Sequence, residues 1–191
     1  MEPTTKRPLR ADAERSVRSI LEAAEQVLAA DPGASMEQIA TAAGLARTTV
    51  HRRFANRQAV LDALAVSAAR QLIDAVDDGR PDTAPPLVAL HRITANVLQV
   101  KHSWTYALGL PPARGSEAAR LHAEVQARCT AVLERARDDG LLSPDADLEW
   151  ARRVYYALVG ESLHENDANA DPDAVAARLV ETFLHGFAAA K

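Results

Sequence analysis

The sequence lacks the marks of secreted and membrane proteins. It contains one cysteine, Cys129, so it cannot form an intrachain disulfide. This agrees with a reducing cytoplasm, where thiols stay reduced. No run of 18 apolar residues occurs, so no transmembrane helix is predicted. The polar residues 1–12 also lack the apolar centre of a signal peptide. We therefore expect a cytoplasmic protein with no membrane partner.

Strand-forming patterns and aromatic residues are also scarce. The chain has no alternating runs of β-branched residues, and its 8 Gly and 10 Pro gather between periodic segments. Aromatic residues make up only 4% of the chain, whereas 48% of the residues are hydrophobic. That content excludes wholesale disorder and indicates a core of Ala, Leu and Val. We predict an all-α protein of about nine helices. At 191 residues it is long enough to bury a sizeable core.

The chain has no overall excess of positive charge, since its formal net charge is −4. Residues 1–60 nevertheless carry nine of the 22 basic residues against seven of the 26 acidic ones, a balance of +2. The remaining residues carry 13 basic and 19 acidic side chains, a balance of −6. All but three of the basic residues are Arg, which suits bidentate contacts with phosphate and guanine. Nucleic-acid binding is therefore expected at the N-terminal end.

Residues 35–54 predict two short helices joined by a tight turn. Ser35, followed three residues later by Gln38, is a capping box that begins the first helix. Gly44 ends that helix, because a residue without Cβ readily adopts the left-handed conformation. Val50 and Phe54 lie four residues apart and form the inward face of the second helix. The pattern predicts a helix–turn–helix.

The outward face of the second helix carries hydroxyls and cations and no carboxylate. A helix of this size fits a major groove roughly 12 Å wide, where such side chains reach phosphates and base edges. A solvated basic face is the alternative, but the turn directly before this helix favours DNA. The predicted DNA-binding residues, which include two arginines outside this helix, are Arg47, Thr48, Thr49, His51, Arg52, Arg53, Arg57 and Arg15.

Residues from about 14 to 64 resemble the DNA-binding domain of the tetracycline-repressor (TetR) family of bacterial transcription regulators. The matching residues are Ile39, Ala40, Ala43, Gly44, Leu45, Thr49, Val50, Phe54, Arg57 and Leu61. Ala46 stands where the family usually has Ser, which removes a helix cap worth about 1 kcal/mol. His51 replaces the usual Tyr, which either removes one phosphate contact or makes it pH-dependent.

The prolines at 81, 85 and 86 mark a linker between two parts of the chain. We divide the chain into a flexible basic arm (1–11), a three-helix helix–turn–helix DNA-binding domain (12–56), a connecting helix (57–79) and a helical ligand-binding and dimerisation domain (80–191). The last domain contains two long C-terminal helices, at about 145–165 and 172–189, with a polar loop at 165–172 between them.

The resemblance implies that these last two helices pair with their copies in a second subunit and that the helices before them enclose a ligand pocket. The predicted dimer-interface residues are Val154, Leu158, Val175, Leu179, Phe183 and Phe187. An intrachain core is the alternative for both apolar stripes. The predicted ligand-binding residues are His91, His102, Trp104, Tyr106, Cys129, Tyr155 and Tyr156. Some of these are expected to be core.

No cofactor, metal site or catalytic residue is predicted. The pair His164–Glu165 has no further His or carboxylate at the spacing of His-Glu-x-x-His. We expect a DNA-binding repressor that binds a palindromic operator as a homodimer and that a small organic effector releases. A helical dimerisation protein without DNA binding is the first alternative, and an enzyme built on a helical bundle is the second.

Overall fold

A computed structural model of the chain describes residues 6–162 and 171–187. Within these ranges the chain forms nine helices and no strand, which confirms the predicted all-α class. The helices are α1 (Lys6–Ala30), α2 (Met36–Ala42), α3 (Arg47–Arg53), α4 (Arg57–Asp78), α5 (Pro86–Ser103), α6 (Thr105–Gly109), α7 (Glu117–Asp138), α8 (Leu148–Glu161) and α9 (Pro172–Phe187). None of these helices has the length and apolarity to cross a bilayer. The predicted arm residues 1–5 and the loop residues 163–170, including His164, lie outside the described ranges.

Helix α1 begins at Lys6, earlier than the predicted start near residue 12. The backbone of residues 6–11 is therefore helical and does not continue a loose arm. Pro8 does not prevent this, because it falls in the first turn, where a backbone N–H has no intrahelical partner.

The local signals of the helix–turn–helix act as predicted. The backbone amide of Gln38 donates to Ser35 Oγ at 3.3 Å, and Ser35 N donates to Gln38 Oε1 at 2.8 Å, so the capping box is complete. Gly44 has φ of 65°, the left-handed conformation that its position at the turn requires. At the start of α4, the Ala59 amide donates to Asn56 Oδ1 at 2.9 Å.

The helices form two compact units. The N-terminal unit comprises the residues up to Ala68 together with Trp104–Pro112. In it, α1 packs against α2 and α6, and α2 packs against α3. Its core includes the fully buried Ile39, Val50 and Leu64. The segment 104–112, which the sequence analysis assigned to the ligand-binding domain, thus packs with the helices of the helix–turn–helix unit.

The C-terminal unit comprises Ala69–Ser103 and the chain from Ala113 onward. Helix α5 packs against α7 and α9, and α8 packs against both α7 and α9. The proline-rich linker is held in place, because the Arg135 guanidinium donates to the backbone oxygens of Pro81 and Ala84. At the end of α4, Gly79 lies against the side chain of Ile93, where a Cβ would overlap it.

Candidate nucleic-acid interface and associated sites

Helix α3 presents a polar face because its apolar residues are buried. Val50 and Phe54, the predicted inward pair, both lie in the core of the N-terminal unit. The opposite side of the helix faces solvent. Its exposed residues are Arg47, Thr48, His51 and Arg52, and its half-buried ones are Thr49 and Arg53. The residues predicted to touch DNA on this helix therefore include four side chains that are open to a large ligand.

The start of α3 differs from that of α2. Ala46 occupies the N-cap with extended backbone (ψ of 140°), and no side chain accepts a hydrogen bond from the first-turn amides there. A helix N-terminus with unmatched amides favours an anion such as phosphate. The lost cap predicted from Ala46 is thus observed.

A carboxylate lies nearer to this face than the sequence of α3 alone suggested. Glu37 of α2 pairs with Arg47 of α3 at 3.8 Å, and both side chains are exposed. An exposed pair of this kind contributes at most about 1 kcal/mol. Separating this pair therefore costs little, which leaves Arg47 available for its predicted contact with DNA.

The two predicted DNA-binding arginines outside α3 have partners within the chain. Arg57 donates to the backbone oxygens of Ala34 and Pro32, which fixes the loop before α2 to the start of α4. Arg15 pairs with Asp12 at 2.7 Å on the surface of α1. The contact made by Arg57 is structural, so its predicted role at DNA would require it to release these carbonyls. Arg15 is in an exposed pair and can be released more easily.

Three of the predicted ligand-binding residues come together in the C-terminal unit. The rings of Tyr155 and Tyr156 lie 6.0 Å apart, and Cys129 lies beside Tyr156. Thr94 Oγ1 donates to the Leu90 oxygen, so the Tyr155 hydroxyl, 2.7 Å away, donates to Thr94. We call Thr94, Cys129, Arg152, Tyr155 and Tyr156 the tyrosine cluster.

Burial dominates the electrostatics of the tyrosine cluster. It raises the pKa of both tyrosines and of the Cys129 thiol, because removal from water disfavours their charged forms. The Arg152 guanidinium lies 5.2 Å from the centre of the Tyr156 ring, a cation–π arrangement. The Tyr156 hydroxyl is buried and, within the described ranges, has no hydrogen-bond partner of good geometry. The cluster thus combines buried, uncharged tyrosine and cysteine side chains with the Arg152 cation and has one hydroxyl available for a further hydrogen bond.

The other predicted ligand-binding residues do not join this cluster. Trp104 is buried and Tyr106 half-buried in the N-terminal unit. His91 is half-buried and His102 exposed on α5. Sequence alone could not separate these groups, because aromatic and histidine side chains look the same in a pocket and in a core.

The predicted dimer-interface residues require a correction. Phe183 is only 1% exposed and Leu179 only 5%. Both are buried within the chain, where α9 packs on α5 and Phe183 meets the Tyr155 ring edge-on at 5.6 Å. They therefore cannot offer surface to a second subunit. Val154, Leu158, Val175 and Phe187 are half-buried.

Three polar residues escaped the sequence analysis. Thr94 and Arg152 complete the tyrosine cluster, and Glu25 is a buried carboxylate on α1. Glu25 follows Leu21 by four residues and precedes Leu28 by three, so it occupies a position in the apolar stripe. That position was the signal that could have identified it. In the described ranges, no group of three His, Cys, Asp or Glu side chains is arranged to hold a metal.

The sequence and the fold both have known relatives. Residues 20–64 match the family model described as bacterial regulatory proteins, tetR family. The chain is 32% identical over 147 residues to the HTH-type transcriptional repressor LfrR of Mycolicibacterium smegmatis, with 76% of each chain covered.

Solved structures agree with that match. The crystal structure of LfrR in complex with proflavine is similar to this chain with a TM-score of 0.73 and 27% identity, covering 93% of this chain and 98% of that one. A regulatory protein of the tetR family from Rhodococcus RHA1 has a TM-score of 0.76 at 20% identity, covering 92% of this chain and 98% of its own, which shows a shared fold. These similarities and the exposed polar face of α3 lead to one conclusion: the chain belongs to the TetR family of bacterial transcriptional regulators.

Proposed function

We propose that this regulator is a repressor that binds a palindromic operator as a homodimer and that a small organic effector releases. The observation that carries the proposal is the face of α3. Arg47, Thr48, His51 and Arg52 are exposed there, while Val50 and Phe54 anchor the helix from behind. Arginine and hydroxyl side chains on a helix of this length read base edges and phosphates in a major groove.

The homodimer follows from the geometry of operator recognition. A single short helix contacts too few bases for useful specificity, so two copies would enter successive major grooves about 34–36 Å apart. A surface for pairing is available on α8. Trp150 is 53% exposed, and the half-buried Val154 and Leu158 follow it at intervals of four residues. Exposed tryptophan is enriched in protein interfaces.

The proposed effector is an organic molecule, and two observations support that class. The relative LfrR has been solved in complex with proflavine, a planar aromatic compound. The tyrosine cluster brings two tyrosine rings together and has one hydroxyl without a good partner. An effector releases DNA only if it binds more tightly to a conformation that fits the operator poorly. Proflavine is therefore a suitable first probe.

DNA binding can be measured with the DNA that lies upstream of the chain's own gene. If the dimer neutralises about eight phosphates, the logarithm of the affinity should fall with the logarithm of the salt concentration at a slope near −7. Fluorescence anisotropy of the labelled fragment at several salt concentrations gives that slope. Binding that does not depend on salt would contradict a phosphate-dominated interface.

The variant Arg52→Ala tests the recognition helix. Removing an exposed arginine that contacts a base or phosphate should cost about 1–3 kcal/mol of operator affinity. The free energy of unfolding should stay within about 0.5 kcal/mol, because the side chain is exposed. Arg120→Ala, at an exposed arginine on α7, is the matched control and should retain wild-type affinity. Equal affinities of the two variants would remove Arg52 from the interface.

A dimerisation protein without DNA binding is the second candidate. The uncapped start of α3 at Ala46 favours it, because a less stable recognition helix binds DNA less well. The same anisotropy measurement separates the two functions. If the anisotropy of the upstream fragment neither saturates as the protein concentration rises nor changes with the salt concentration, the dimerisation protein is favoured.

A further inference from the structure

Glu25 is a carboxylate in a position suited to a hydrophobic residue. It is 5% exposed, and it lies in the stripe of α1 that includes the buried Leu21 and Leu28. In the described ranges it forms no ion pair, and its partners are two backbone amides of α6. Oε1 accepts from the Tyr106 amide at 2.6 Å, and Oε2 accepts from the Ala107 amide at 3.0 Å. Both oxygens are thus committed to one short helix.

These two hydrogen bonds supply a cap that α6 lacks in its own sequence. Trp104 is the N-cap residue, and its side chain accepts no hydrogen bond from the helix. Helix α6 has only five residues, too few to be stable without outside contacts. A carboxylate at a helix N-terminus also interacts favourably with the helix dipole. Glu25 therefore orders α6 and holds it against α1.

Stability alone does not explain a charge at this position. Burial raises the pKa of Glu25, and the two amide hydrogen bonds only partly oppose that effect. When the pKa in the folded state exceeds that in the unfolded state, the contribution of the group to stability is present at low pH and is lost as the pH rises. Ionisation of Glu25 therefore lowers the stability of the folded chain.

The position of α6 in the chain suggests what the charge does. Both neighbours of the segment 104–112 in sequence belong to the C-terminal unit, which the chain leaves at Ser103 and rejoins at Ala113. The segment itself packs with α1, and α1 packs with α2 of the helix–turn–helix. A displacement of the end of α5 or the start of α7 would therefore act on α6 through two covalent connections.

We propose that the Glu25 carboxylate is a positioning group that couples α6 to the DNA-binding helices. A movement of α6 reaches α1 through these two hydrogen bonds, and binding of DNA to α3 acts back on α6 by the same route. This inference rests on the proposed function, because it requires that the protein bind DNA. Reciprocity between coupled sites makes it testable without an effector.

The test is amide hydrogen exchange of the full-length protein with and without the upstream DNA fragment. In the wild type, DNA should slow exchange of the α6 amides about fivefold or more, the lower end of typical coupling between sites. In Glu25→Gln, one amide of α6 loses its acceptor and meets an NH2 group instead. The DNA-induced change at α6 should then fall below about twofold, while exchange in α3 still responds to DNA.

Glu22→Gln is the matched control, since Glu22 lies one turn earlier on the same helix and is exposed. It should keep the wild-type response. Should Glu25→Gln fail to fold, Glu25→Asp serves instead. It keeps the charge but withdraws the oxygens by one methylene, and it should show an intermediate response.

Each outcome has one meaning. A wild-type protein that does not bind the fragment at all overturns the proposed function and this inference with it. DNA binding without any change at α6 overturns the coupling alone. An undiminished change at α6 in a folded Glu25 variant overturns the role of the carboxylate. Loss of the change in that variant, with retention in Glu22→Gln, supports the proposal.

Discussion

The sequence pattern predicts the packing of the recognition helix α3 correctly, but the same kind of pattern does not predict the packing of the last two helices. In α2 and α3, the cap at Ser35, the turn at Gly44 and the inward pair Val50 and Phe54 all have their predicted roles. In α9, the apolar stripe predicted to meet a second subunit is instead partly buried in the chain. A motif whose hydrogen bonds lie within a few residues determines its own geometry. A wide apolar stripe does not determine which neighbouring element packs against it.

The largest expected effect concerns that stripe. Phe183→Ala should lower the free energy of unfolding by about 3–5 kcal/mol, because it leaves a cavity beside Tyr155. Trp150→Ala should change it by no more than about 0.5 kcal/mol when measured at high protein concentration, since the side chain is exposed. The same variant should raise the dimer dissociation constant about tenfold, as loss of an interface tryptophan does.

Urea denaturation and analytical ultracentrifugation measure these two quantities. The contrast between the buried stripe of α9 and the exposed face of α8 is supported if Phe183→Ala lowers stability and Trp150→Ala weakens dimerisation. It breaks if Phe183→Ala leaves stability unchanged, or if Trp150→Ala leaves the association state unchanged.

A smaller effect is expected at the start of the recognition helix. Ala46→Ser should raise the free energy of unfolding by about 1 kcal/mol, because the extended backbone at residue 46 lets the hydroxyl accept from a first-turn amide. Ala42→Ser, at the exposed last residue of α2, has no free amide to cap and should lower the free energy of unfolding slightly. Thermal or urea denaturation compares the two variants. Equal changes in the free energy of unfolding would show that α3 gains no stability from an N-cap, which would contradict this prediction.

The smallest expected effect is a pH dependence in the C-terminal unit. Burial, assisted by the charge of Lys101, lowers the pKa of His122. The unfolded chain therefore binds a proton at higher pH than the folded chain does. The associated stability is present above the unfolded pKa of about 6.5 and is lost as the pH falls below it.

His122→Gln should flatten this part of the curve of unfolding free energy against pH between about 7.5 and 5.5. His185→Gln, at an exposed histidine on α9, is the control. Parallel curves for wild type and His122→Gln would show that His122 does not make this contribution.

Most helix positions could be predicted, because apolar periodicity and turn residues are local. The prediction for α4 began at the observed residue, and the uncapped Ala46 was anticipated. The start of α1 was missed, since residues 1–11 were predicted as a flexible basic arm, whereas Pro8 fits the first turn of the helix. The contact that Arg57 makes within the chain was not anticipated, because its acceptors, the carbonyls of Pro32 and Ala34, precede it by more than twenty residues.

The sequence by itself determined the class of fold, the helix–turn–helix and the cationic face of α3, because each depends on interactions within a few turns of chain. Only the tertiary structure decided which side of α9 is buried, which aromatic residues share a cluster, and that residues 104–112 pack with the DNA-binding helices. The role of Glu25 belongs to this second group. Its acceptor oxygens meet amides some eighty residues away, and no local pattern encodes a contact at that separation.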